Sequence, residues 1–142
     1  MSDATDESPR DRLRRAHGEL DALLGRFFGA AHAGAADAAR ESAAAFDDAL
    51  RRHTADEEER LLPPVAASGR RLVPGEEQSE SESERLGREL RLEHVQIREL
   101  SAMMRRLAEQ GDVKGAERLA ANLARRWDAH TAREEKELPE IP

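Results

Sequence analysis

Apolar residues recur along this chain in steps of three and four, the spacing that lines one face of an α-helix. The first stripe holds Leu13, Leu20, Leu24, Phe27, Phe28 and Ala31, and His17 fills its one wide gap. Ser8-Pro9 reads as an N-cap followed by proline at the first helical position, which predicts a helix over residues 9–33. After Gly34, the stripe Phe46, Leu50, His53, Glu57, Leu61 predicts a second helix over 36–62, stopped by Pro63-Pro64. Residues 63–83, with Gly69, Pro74, Gly75 and the acidic run from Glu76 to Ser83, read as a connecting loop. A third helix over 84–110 carries Leu86, Leu90, His94, Ile97, Leu100, Met104 and Leu107, and breaks at Gly111-Asp112. A fourth over 113–137 carries Ala116, Leu119, Leu123, Trp127, His130, Glu134 and Leu138, and ends before Pro139. Four amphipathic helices with two short turns and one longer link predict an all-α fold. The expected form is an antiparallel up-down-up-down four-helix bundle, in a single domain of 142 residues.

The two halves repeat. Under a shift of 77 residues, His17 falls on His94, Gly34 on Gly111, and His53-Thr54-Ala55 on His130-Thr131-Ala132. Glu57-Glu58 falls on Glu134-Glu135, Leu61 on Leu138, and Leu13-Arg14 on Leu90-Arg91. Coincidence of scarce histidines with the turn glycines marks a duplicated helical hairpin rather than a generic match of Ala- and Glu-rich helices.

Composition narrows the chemistry. Charged residues make up 37% of the chain and aromatics 3%, a mixture unsuited to an all-β sandwich and typical of solvated helices. The absence of cysteine removes disulfides, thiolate metal sites and cysteine nucleophiles. No apolar run is long enough to span a bilayer and the first residues are polar, so a cytoplasmic protein with no membrane partner is expected. A net charge of -7 disfavours a nucleic-acid partner. The pairs Arg14-Arg15, Arg51-Arg52, Arg105-Arg106 and Arg125-Arg126 read as solvated faces paired with glutamates.

The chemistry lies on the apolar stripes. His53 and Glu57 are one turn apart on a shared face, and so are His130 and Glu134. An ionised glutamate is rarely buried without a partner, because desolvating a carboxylate costs several kcal/mol. In each half the first histidine lies 17 residues before the turn glycine and the second 19 after it, which places all four imidazoles at one height in antiparallel hairpins. Four imidazoles and two carboxylates form a nitrogen and oxygen donor set suited to first-row transition metals. Two cations, each with two histidines and with two glutamates bridging, would leave coordination positions for a small molecule.

The combination His17, then His53-Thr-Ala-Asp-Glu57-Glu-Glu-Arg-Leu-Leu-Pro63, then His94, then His130-Thr-Ala-Arg-Glu134 resembles the hemerythrin-like (HHE cation-binding) family over residues 8 to 140. The resemblance implies a non-haem di-iron centre with His17, His53, Glu57, His94, His130 and Glu134 as ligands, and zinc as an alternative occupant in an isolated sample. It implies a protein that binds O2, NO or peroxide for sensing, storage or detoxification, with an undetermined redox partner. It departs from oxygen-carrying hemerythrin, which has two histidines one turn apart on its third helix. Here Leu90 and Arg98 stand one turn either side of His94, and the last helix carries its carboxylate four residues after its histidine. The pattern is closer to HHE domains of iron-sulfur repair and iron- or oxygen-sensing proteins. An enzyme with catalase-like, NO-reducing or repair activity is the second reading, and a metal-free helical interaction module the third. His32 is expected at the surface, Trp127 in the core as a wall against water, Met103 and Met104 in packing, and Glu93 in solvent. Glu58 is expected to matter far less to metal binding than Glu57 or Glu134.

Overall fold

In the computed structural model, residues 7–62 and 81–138 are described. They form four helices and no strand: α1 (Pro9–His32), α2 (Ala36–Arg60), α3 (Glu82–Glu109) and α4 (Val113–Glu137). The all-α bundle expected from the stripes is the observed fold. Pro63-Pro64 and most of the predicted loop, residues 63–80, lie outside the described residues. None of the four helices is long and apolar enough to cross a membrane.

Local chemistry sets the helix ends. The Ser8 side chain accepts from the Asp11 N–H with Pro9 in the first turn, as the sequence predicts. The third helix starts two residues earlier than expected. Ser81 accepts from the Glu84 N–H while the Glu84 carboxylate accepts from the Ser81 N–H, a reciprocal cap that draws Glu82 and Ser83 into the helix. Asp112 caps α4 through the Gly115 N–H. At the other ends, Gly34 (φ 71°) and Gly111 (φ 84°) occupy the left-handed region. The Gly34 and Ala35 N–H groups donate to the Ala31 and Ala30 carbonyls, and Gly111 and Asp112 repeat this onto Ala108 and Leu107. The repeated glycines thus terminate the two hairpins by the same motif.

Each helix packs against two neighbours in the cyclic order α1, α2, α3, α4. Cross-helix contacts run antiparallel. Glu58, Thr54 and Asp47 of α2 meet His94, Arg98 and Ser101 of α3 in turn. On the other side, His17 and Asp21 of α1 meet Glu135 and Trp127 of α4. The main core fills the turn end with Leu20, Leu24, Phe27, Phe46, Leu50, Ile97, Met104, Leu123 and Trp127. A smaller cluster of Leu62, Leu90 and Leu138 closes the opposite end. Phe28, Leu86, Leu100, Leu107 and Leu119 flank the core half-buried, and the predicted stripe is corrected at the end of α2. Leu61 is half-buried and Leu62 is buried, because α2 ends at Arg60 and the Leu62 N–H folds back onto the Glu57 carbonyl. Met104 is fully buried and His32 exposed, as expected, whereas Met103, expected in packing, is exposed.

Glycines in this fold divide into two kinds. A Gly111→Ala change should cost about 1 kcal/mol because its φ is unfavourable to any side chain. By contrast, Gly29→Ala should stabilise by up to about 1 kcal/mol, since Gly29 is an exposed helical residue with open space around it. Urea unfolding of the two variants checks the opposite signs.

Candidate metal centre

All six side chains singled out by the repeat converge between the two apolar clusters. His17 comes from α1, His53 and Glu57 from α2, His94 from α3, and His130 and Glu134 from α4. Glu57 and Glu134 are 1% and 0% exposed, and His17, His94 and His130 no more than 3%. The rings pair by hairpin, with centroids 5.1 Å apart for His17 and His53 and 4.7 Å apart for His94 and His130.

Each carboxylate divides its oxygens between the two pairs. Glu57 Oε2 faces His17 Nε2 at 3.4 Å and touches His53 Nε2, while its Oε1 lies 3.0 Å from His94 Nε2. Glu134 Oε1 lies 3.1 Å from His17 Nε2, while its Oε2 lies 3.2 Å from His94 Nε2 and 3.1 Å from His130 Nε2. Two overlapping groups result, His17, His53, Glu57 and Glu134, and Glu57, His94, His130 and Glu134, with ligand atoms all within 4.8 Å of one another in each. Both have the donors and the spacing to hold a metal ion. His53 Nε2, Glu57 Oε1 and His130 Nε2 are buried without a hydrogen bond, because their close neighbours sit at angles unsuited to one. Buried polar atoms left this way are costly unless something else satisfies them, and a shared cation would.

Behind the imidazoles stands a second set of carboxylates. His17 Nδ1 lies 2.9 Å from Glu135, His94 Nδ1 2.8 Å from Glu58, and His130 Nδ1 2.7 Å from Glu93. One expectation is corrected here: Glu93 does not simply face solvent but contacts and orients His130, while Glu58 occupies the same kind of position behind His94. Arg98 in turn donates to Glu58 and to Thr54 Oγ1, so it points away from the centre. Such outer partners fix the tautomer and angle of a ligand imidazole. The Trp127 indole floors the site, 5.4 Å from the His17 ring, 6.2 Å from His53 and 6.1 Å from His130, and its Nε1 donates to Asp21 at 2.7 Å.

Two buried polar residues, Asp47 and Ser101, escaped the sequence reading altogether. Asp47 is 1% exposed and accepts from Ser101 Oγ at 2.8 Å, from Arg51 and from Arg105. The arginine pair 105-106 is therefore not a purely solvated face, since Arg105 crosses the α2–α3 seam to Asp47 and Asp48, whereas Arg51 is exposed and pairs with Asp47 within α2.

Protonation of the metal-free cluster follows from its geometry. Burial alone pulls the His17 imidazole down, but hydrogen bonds with Glu134, Glu57 and Glu135 overturn this and raise it from 6.5 to about 10. His94 is raised to about 10 in the same way by Glu134 and Glu57. Burial would raise both buried carboxyls, yet the surrounding imidazoles hold Glu57 and Glu134 below the ordinary carboxylate range. Near neutrality, two imidazoliums thus offset two carboxylates.

Compared with family models, curated proteins and solved structures, the chain gives no match.

The raised imidazoles contribute stability to the metal-free protein that is complete below about pH 6.5 and is lost as pH climbs through about 10. A falling Tm over that window is the expected result of thermal unfolding without metal. A divalent cation must displace the protons on His17 and His94, so its apparent affinity should rise with pH and its uptake should acidify a weakly buffered solution. Uptake without proton release would show that these imidazoles are not ligands.

Proposed function

We propose that this chain is a hemerythrin-like protein that holds two non-haem iron ions and binds O2, NO or peroxide for sensing, storage or detoxification. The observation that carries this reading is the split of both glutamates. Glu57 and Glu134 each turn one oxygen towards the His17–His53 pair and one towards the His94–His130 pair, as bridging ligands between two cations would. A single-ion site would need neither the second pair of histidines nor the divided carboxylates. The donor set fits iron(II), although affinity order alone does not favour iron over zinc.

Bound iron supplies electrons to such small molecules and open positions at which they attach. The protein's own residues do the rest. Glu135, Glu58 and Glu93 keep the Nδ1 protons of three imidazoles on the outer side, leaving Nε2 free to coordinate. Trp127 on one side and Leu62, Leu90 and Leu138 on the other exclude bulk water and favour an apolar guest. Leu90 and Arg98, at the positions where oxygen carriers place an additional histidine, bring no donor to the centre. Two ions held by these six side chains alone would have coordination positions to spare, which would favour capture and sensing chemistry over saturated carriage.

An alternative, the metal-free helical module, draws on the balance of imidazolium and carboxylate that lets the cluster persist without a cation. Elemental analysis separates the two. Two irons per chain, with an absorbance change on exposure to O2, are expected for the first reading. A folded protein that binds no Fe(II) and gains no thermal stability from it would establish the second.

Substitutions rank the carboxylates. Glu57→Ala or Glu134→Ala should lose more metal affinity than Glu58→Ala, whose loss of one orienting contact should cost on the order of 10- to 100-fold. The exposed Glu59→Ala should change nothing. Calorimetric titration with Fe(II) under anaerobic conditions reads the order.

A further inference from the structure

The repeat that builds the centre is broken on one side. Residues 77 apart are equivalent, so Glu58 and Glu135 correspond, and each binds the first histidine of the opposite hairpin. Glu93, which binds His130 Nδ1, corresponds to Ala16. Ala16 has no side chain with which to reach His53. Among the described residues, no group hydrogen-bonds His53 Nδ1, whereas the other three imidazoles each have a carboxylate.

The surroundings differ in the same direction. Arg133 clamps Glu93, Glu89 and Glu137 together over His130. The equivalents of Arg133, Glu89 and Glu137 are Asp56, Arg12 and Arg60, the same positions with every sign reversed but without a member that touches the histidine. Asp56 is turned to Arg60, at 2.9 Å. His53 is 11% exposed, against 2% for His130. A cleft of about 270 Å³ between α1 and α2 is lined by Arg12, Ala16, His53, Glu57 and Arg60, and so reaches a ligand imidazole and a bridging carboxylate from outside. On the α3–α4 side the corresponding cleft, lined by Arg85, Glu89, Arg133 and Glu137, stops short of both ligands, and a second cleft, lined by Glu93, Ile97, Ala129 and His130, reaches that imidazole but not Glu134.

We propose that the two cation positions are inequivalent: the position formed by His94 and His130 is filled first and held, while the position formed by His17 and His53 is filled second and emptied first, through the α1–α2 cleft. This rests on the reading of the six side chains as a two-cation centre. An imidazole whose N–H is tied to a carboxylate is fixed in tautomer and orientation and is the better donor, a contribution on the order of 10- to 100-fold in metal affinity. Both imidazoles of the first position have that support and only one of the second does. Over a window of metal concentration the protein therefore holds one ion.

Co(II) titration of the metal-free full chain at neutral pH, followed by calorimetry and native mass spectrometry, tests the order of filling. Challenge of the loaded protein with EDTA tests the order of release. Two binding steps separated by on the order of 10-fold or more are expected, with a one-ion species between them and a two-phase release. Ala16→Glu, which restores the missing partner, should slow the fast phase and narrow the separation. Glu93→Ala should accelerate the slow phase and leave the fast one in place. Far-ultraviolet circular dichroism establishes that each variant remains helical. Two ions bound with one affinity and lost in one phase would overturn this inference alone, as would a helical Ala16→Glu variant and a helical Glu93→Ala variant that move neither phase. A chain that binds no Co(II) would overturn the two-cation centre as well.

Discussion

Two carboxylates, Glu57 and Glu134, sit almost fully buried at the middle of a helical bundle, and the rest of the structure answers to that fact. Moving an ion of this kind out of water carries a penalty of several kcal/mol, which only good geometry and further hydrogen bonds offset. The chain meets it in layers. Four imidazoles surround the two carboxylates, three outer carboxylates hold three of the imidazoles, and Arg14, Arg98 and Arg133 hold the three outer carboxylates. Each layer lies nearer to solvent and is more easily hydrated, so charge is passed outward step by step instead of being left stranded in the core.

The same demand shapes the seams between helices. Along α2 and α3, polar contacts run from the centre towards the turns, through Glu58, Arg98 and Thr54 to Asp47, Ser101 and Arg105. Along α1 and α4, the equivalents of Asp47, Ser101 and Arg105 are Ala124, Leu24 and Phe28, so beyond the Trp127–Asp21 hydrogen bond the seam is apolar towards the turns. A duplicated hairpin has thus acquired two different kinds of joint. A buried hydrogen-bonded group tolerates sliding poorly, since a shift of one turn would strand it, so the polar seam specifies the register of the two hairpins. The apolar seam adds burial with less demand on alignment.

Much of this was legible in the sequence because helical periodicity and duplication constrain the same residues. His17, His53, Glu57, His94, His130 and Glu134 fall on apolar stripes, and a polar group there must meet another polar group. The turn glycines fixed the heights at which they meet. Glu58, Glu93 and Glu135 were harder to read, since each is a neighbour of a stripe residue and lies on the flank of its helix. Whether a flank residue faces water or an adjacent helix depends on the rotation and spacing of that helix, which periodicity within one helix does not contain. Asp47 was more accessible to reasoning, for it lies four residues after Ala43 and three before Leu50, both buried. The start of α3 was also written in the sequence, as Ser81 followed three residues later by Glu84, but the acidic run around it obscured the cap.

The placement of Trp127 has a practical corollary. It is the sole tryptophan of a chain that has no tyrosine, and its ring stands edge-on to His17 and His53 and tilted against His130. Light absorbed by the indole therefore samples one locality of the molecule, the floor beneath the histidines, with no competing emission from a phenol elsewhere. The fold has in effect installed its own fluorescent gauge at the spot where its chemistry is concentrated.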